Sequence, residues 1–121
     1  MKSQILRNAL SDLTQKPGFV GAALVSIEDG MVWHAVGILS DLENMASAAS
    51  NYWRLNTRTQ ASFSDLGALQ FAILVHKVGQ LTLCECGKGM LLAIITERGN
   101  TGYLAELKAT HPNLIRLVNS I

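Results

Sequence analysis

The chain is poor in the residue types that staple, break or anchor small folds: 121 residues hold two cysteines, two prolines and 6% aromatics. One Cys-x-Cys with no second ligand pair is a poor metal site. Cys84 and Cys86 are instead expected in a strand, where positions two apart share a face, and to pack there as small hydrophobes. Charge of either sign is also lacking in excess, since ten Lys and Arg stand against nine Asp and Glu. They are scattered, so no stripe of positive potential forms and nucleic acid is not an expected partner. The longest strongly apolar stretches, such as Met90 to Ile95 and Ala72 to Val75, fall far short of the roughly 20 residues that span a bilayer. Arg7 and Asp12 interrupt the start before a secretory core can form. The expectation is a cytoplasmic protein without a membrane segment.

Catalytic patterns are missing too. Gly87-Lys88-Gly89 lacks the spaced glycine and the Ser or Thr of a phosphate loop, and Met90 follows it in a strand. His34, His76 and His111 sit on different elements with no metal-ligand spacing and no triad order. No serine occupies a nucleophile elbow; Ser26 lies inside a strand. The expectation is a chain that is not an enzyme and has neither cofactor nor metal.

What is present is a core. Apolar residues make up 49% of the chain and charged residues 16%, well outside the disordered regime, and the length suits one domain over residues 1–121. Ile5, Leu6, Ala9, Leu10 and Leu13 recur at helical spacing and predict a helix over about 3–15, ended by Pro17 and Gly18. Phe19 to Ile27 and Met31 to Val36 flank Glu28-Asp29-Gly30 and predict a hairpin. Val20, Ala22 and Leu24 would face one way and Phe19, Ala23, Val25 and Ile27 the other, so the first strand is covered on both faces. Asp41 is placed to N-cap a helix running to about Thr59 through its carboxylate. After a loop at 62–67, Ala68 to His76, Leu81 to Cys86 and Met90 to Glu97 predict an antiparallel meander, apolar on both faces. A last helix opens near Gly99-Asn100-Thr101-Gly102, and Pro112 predicts a break near Thr110. The fold class is α/β: a three-layer α/β/α sandwich around an antiparallel sheet, in the order helix-strand-strand-helix-strand-strand-strand-helix.

The 41–59 helix carries more apolar surface than one core needs. Leu42, Met45, Ala46, Ala49, Trp53 and Asn56 form an inner stripe, while Ala48, Tyr52, Leu55 and Thr59 trace a second, which points to another protein surface. Arg54 and Arg58, spaced i, i+4, could present a basic face to an acidic partner.

The run Pro17-Gly18-Phe19-Val20-Gly21-Ala22-Ala23-Leu24-Val25-Ser26-Ile27-Glu28-Asp29-Gly30 resembles the signature with which roadblock/dynein light chain domains begin their first hairpin. Gly99-Asn100-Thr101-Gly102-Tyr103-Leu104 resembles that family's opening of its last helix. The resemblance implies a profilin-like, five-stranded antiparallel sheet with one helix on one face and two on the other. It also implies a homodimer through the central helix and the third strand, which places Ala48, Tyr52, Leu55, Thr59, Phe71 and Ile73 at the interface. Members of the family serve as dynein subunits, as scaffolds or as partners of Ras-like GTPases. The expected function is therefore a non-catalytic homodimeric adaptor or regulator of a Ras-like GTPase, with Arg54 and Arg58 as contact residues. The alternative is a small-ligand sensor or signalling scaffold of a related profilin-like fold, which a deep apolar pocket with converging polar groups would distinguish.

Overall fold

The computed structural model describes residues 2–99 and 102–121. Helix α1 (Lys2–Thr14) leads into strands β1 (Phe19–Ser26) and β2 (Val32–Gly37), then helix α2 (Leu42–Thr59) and a short 3-10 segment (Gln60–Leu66). Strands β3 (Ala72–Val75), β4 (Gly79–Glu85) and β5 (Met90–Glu97) follow, and helix α3 (Tyr103–Asn119) closes the chain. The strands form one antiparallel five-stranded sheet in the order β2-β1-β5-β4-β3.

The two apolar faces read from β1 and β5 each find a helical cover. On one face Ala22, Leu24, Cys84, Met90, Leu92 and Ile94 meet Leu6, Leu10 and Leu13 of α1 and Leu107, Leu114 and Val118 of α3. On the other, Ala23, Val25, Leu83, Leu91 and Ala93 meet Ala46, Ala49 and Trp53 of α2. This is the expected α/β/α sandwich with its layers divided as the resemblance implied. Full burial of each Leu or Ile side chain is worth about 1.5–3 kcal/mol, so the β1/β5 centre is the stable heart of the molecule. The hairpin turn is fixed to α2 by Gly30. Its φ is +75°, and a Cβ there would stand 3.0 Å from Ser47 Oγ and 3.1 Å from Ser50 Oγ.

Several local expectations are corrected. Asp41 does not cap α2 with its side chain; its carboxylate accepts from the Asn44 side-chain amide at 3.3 Å, and its backbone carbonyl accepts the Met45 N–H. Met45 stands 40% exposed although it falls on the inner stripe. Phe19 joins the α1/α3 face rather than the α2 face, because the β1–β5 register shifts between Phe19 and Gly21 and reverses the alternation. The third strand is only Ala72–Val75, and the segment before it contains a 3-10 helix rather than a plain loop. No break occurs near Thr110: α3 runs unbroken through Pro112. Pro112 and Lys108, whose carbonyl loses its bond, both lie on exposed positions where water can serve that carbonyl, while Leu107 and Leu114 hold the helix to the core. Asn100 and Thr101 lie outside the described residues.

Cys84 and Cys86 are fully buried and free. Burial pushes both thiols up to about 12 from an ordinary 9.0, with the neighbouring Cys86 adding to the effect on Cys84. Above the unfolded value the unfolded chain releases these protons while the folded chain keeps them, so their contribution to stability falls as pH rises from about 9 to about 12. Chemical denaturation at pH 8 and pH 10.5 should show lower stability at the higher pH, and Cys84→Ala/Cys86→Ala should flatten that slope.

Candidate functional site

β3 ends the sheet, so one row of its backbone groups has no ladder partner. His76 N–H donates to the Gly79 carbonyl at 2.8 Å. Alternation along the register from that pair turns the N–H and C=O of Ile73 and Val75 to the open edge. Their side chains are also uncovered, at 44% and 58% exposure.

Just before β3 in the chain, an open cleft of about 490 Å³ lies between the C-terminal half of α2 and residues 60–70. Tyr52, Leu55 and Thr59 form one wall, and Phe63, Leu66 and Leu69 the other. Leu55 is 51% exposed and Leu66 82%. Of the lining residues all but Asn56 are exposed, and none of Gln60–Leu66 is buried. Ala48 is exposed one turn earlier on α2. The second stripe therefore comes together as a continuous apolar surface with Leu66 and Leu69, the kind of patch that marks an interaction site.

Phe71 behaves differently from its neighbours. It is half-buried, with Lys108 Nζ 5.8 Å from its ring centroid and the His111 ring tilted against it at 6.0 Å. Its ring is thus engaged by α3 immediately before the strand begins at Ala72.

Sequence reasoning missed Glu85. Its carboxylate accepts Trp53 Nε1–H at 3.1 Å, and its carbonyl accepts from His111 Nε2 at 2.7 Å. One residue at the end of β4 thus ties α2 to α3 through the sheet, beside the β3 edge. The available signal was Trp53 itself, since a buried indole N–H needs an acceptor.

The two arginines part company. Arg54 Nη1 donates to the Ile27 carbonyl at 2.6 Å and to Ser50 Oγ at 3.0 Å, and Nη2 donates to Asn51 Oδ1. Arg54 therefore binds α2 to the end of the first hairpin. Asp29 in that turn is held below the ordinary carboxylate range, chiefly by the Met31 N–H, then by the Ser26 hydroxyl, with Arg54 adding a smaller effect. Arg58 is exposed, and among the described residues nothing pairs with it. Among the described residues no group of three His, Cys, Asp or Glu could hold a metal ion, and no helix is long and apolar enough to cross a membrane.

The fold has close counterparts. A Roadblock/LC7 domain from Streptomyces avermitilis matches with a TM-score of 0.79 at 26% identity, over 94% of each chain. MglB of Myxococcus xanthus matches with a TM-score of 0.82 at 14% identity, over 98% of this chain and 90% of that one. The gliding protein MglB of Thermus thermophilus gives 0.81 at 18%, over 99% and 93%. No family model matches the sequence, and no curated protein does. The chain has the roadblock/LC7 fold, as its Pro17–Gly30 run suggested.

Because Arg54 satisfies a hairpin carbonyl, Arg54→Ala should cost about 1–3 kcal/mol of unfolding free energy. Arg58→Ala should stay within about 0.5 kcal/mol of wild type. Urea denaturation of the two variants checks the difference.

Proposed function

We propose that the chain is a non-catalytic adaptor that pairs with a second copy of itself and, as a dimer, docks a Ras-like GTPase or a related signalling protein. The observations that carry the pairing are the exposed apolar cleft on α2 and the unpaired edge of β3, which the chain enters directly from the cleft wall at Leu69 and Gln70. An isologous two-fold contact would satisfy the outward backbone groups of Ile73 and Val75 and cover Ala48, Tyr52, Leu55 and Thr59 together. Phe71, braced by α3, would set the position of the edge. The cleft is large enough for a small ligand, but its walls are surface side chains rather than buried polar groups, which favours a protein over the sensor reading.

The GTPase rests on the resemblance of the first hairpin and the last helix opening to roadblock domains, and on the chemistry of α2. Arg and aromatic side chains dominate interface energetics. Arg58, unpaired among the described residues, offers its donors to an acidic partner, while Arg54, whose donors are engaged within the chain, orients the surface next to it.

Light scattering after size exclusion should give a dimer mass at about 100 μM, well above the micromolar dissociation constants of many specific complexes. Leu55→Glu and Ile73→Glu should shift it to monomer, since an uncompensated buried charge costs several kcal/mol. A wild-type monomer, or dimers that tolerate both charges, would remove the pairing surface. In a pull-down from native cytoplasm, Arg58→Ala should keep the dimer but weaken GTPase capture by about 1 kcal/mol or more. Equal capture would reject Arg58, and recovery of no GTPase would reject the partner class.

A further inference from the structure

The sheet has a second open edge. β2 lies at the opposite end of the order from β3, so whatever adds to it leaves the β3 edge free for the proposed dimer. Ile38 N–H donates to the Val20 carbonyl at 3.1 Å, which makes those residues a directly bonded pair. Alternation through Ala22–Val36 and Leu24–His34 then turns the N–H and C=O of Ala35 and Gly37 outward. The register shifts between Leu24 and Val25, and Trp33 is left without a partner on β1. Met31, Trp33 and Ile38 along this edge are 62%, 40% and 84% exposed. Beyond the irregularity at Trp33, which leaves Ala35 and Gly37 in register, the edge carries neither proline nor lysine to guard it.

Helix α1 stands beside β2 and presents Ser3, Arg7, Ser11 and Thr14, a series with helical spacing, along that side. Ser3 Oγ lies 3.1 Å from His34 Nε2, and Ser11 and Thr14 share a cavity of about 220 Å³ with Val36 and Ile38. Arg7 is close enough to His34 to disfavour its protonation, second to the effect of burial. Among the described residues no carboxylate pairs with Arg7. The wall is thus hydroxyl-bearing and cationic, whereas the strand beside it is apolar.

We propose that the β2 edge and the α1 wall form a docking groove for an extended segment of another protein, one that alternates acidic and apolar side chains and adds to the sheet as a sixth strand. The outward groups of Ala35 and Gly37 supply the main-chain bonds, and side-chain alternation supplies the selectivity. Side chains on the α1 side meet Arg7, His34 and the hydroxyls and are therefore acidic or polar. Those on the opposite side continue the half-buried face of Val32 and Ala35 and are therefore apolar. A second copy fits this edge poorly, because two-fold β2 pairing would set one Arg7 wall beside another, and like charges across an interface are penalised.

Selection of displayed random octapeptides on the immobilised full chain should return sequences alternating Asp or Glu with Val, Ile or Leu. A synthetic peptide of that consensus should slow hydrogen exchange at the Ala35 and Gly37 amides. Arg7→Glu, at an exposed helical position, should weaken it at least about tenfold with unchanged mass and melting temperature. Ala35→Pro, which removes an outward N–H and fixes φ at an edge position, should abolish binding while mass and melting temperature stay unchanged. Absence of a consensus, or a consensus peptide bound equally by Arg7→Glu, would overturn the proposal. So would a tetramer of the free chain that Ala35→Pro returns to dimer, since the edge would then belong to a second copy. Self-pairing through β3 is read separately, as the mass without peptide.

Discussion

The pairing of β1 with β5 organises the molecule. From Phe19 opposite Thr96 to Ser26 opposite Met90, it brings together two strands that are apolar on both sides. Such a pair can exist in water only as the middle of a sandwich. α1 and α3 must close one face and α2 the other, and every remaining strand is displaced outward. The two open edges follow from the same constraint: with β1 and β5 side by side at the centre, β2 and β3 become the margins, and among the described residues no further strand covers them.

Side-chain periodicity made this centre legible from sequence. Leu6, Leu10 and Leu13, the doubly apolar β1 and β5, and the Gly30 turn all have local signatures that tertiary packing reinforces. The errors fall where a local signal competes with packing. Asp41 is a good capping residue, yet its carboxylate is taken by Asn44. Pro112 should stop a helix, but it lies on a solvent-facing position while Leu107, Leu114 and Val118 hold both halves on the sheet. Phe19 violates alternation because a register shift intervenes, and no residue type announces such a shift. Of the candidate site, the stripe of Ala48, Tyr52, Leu55 and Thr59 was visible as periodicity. Its other wall was not: Phe63 and Leu66 belong to a segment without regular spacing, and the alternation of Leu69 with Phe71 and Ile73 assigned Leu69 to a strand that begins only at Ala72.

Long-range polar contacts were the least legible. Arg54 and Arg58 are equivalent by spacing, yet one holds the Ile27 carbonyl and the other faces water. Glu85 joins Trp53 and His111, residues far apart in the chain. These contacts link the layers beside the proposed surfaces: Arg54 fixes α2 against the first hairpin, and Glu85 fixes α2 and α3 against the strand next to β3. The scaffold behind each open edge is therefore braced by specific side chains as well as by apolar packing.

The 3-10 segment Gln60–Leu66 has a consequence of another kind. It buries none of its residues against its own chain, and the Gly67 N–H to Ser64 carbonyl bond, 3.1 Å, is local. Segments with so little buried surface open at far lower free energy than the core. If a second copy supplies the missing cover, this segment becomes ordered by mass action, and its persistence is set by how many copies of the protein a cell contains. Abundance would then act as a structural variable: a dilute population would keep the β1/β5 core intact while its recognition surface stayed only partly formed.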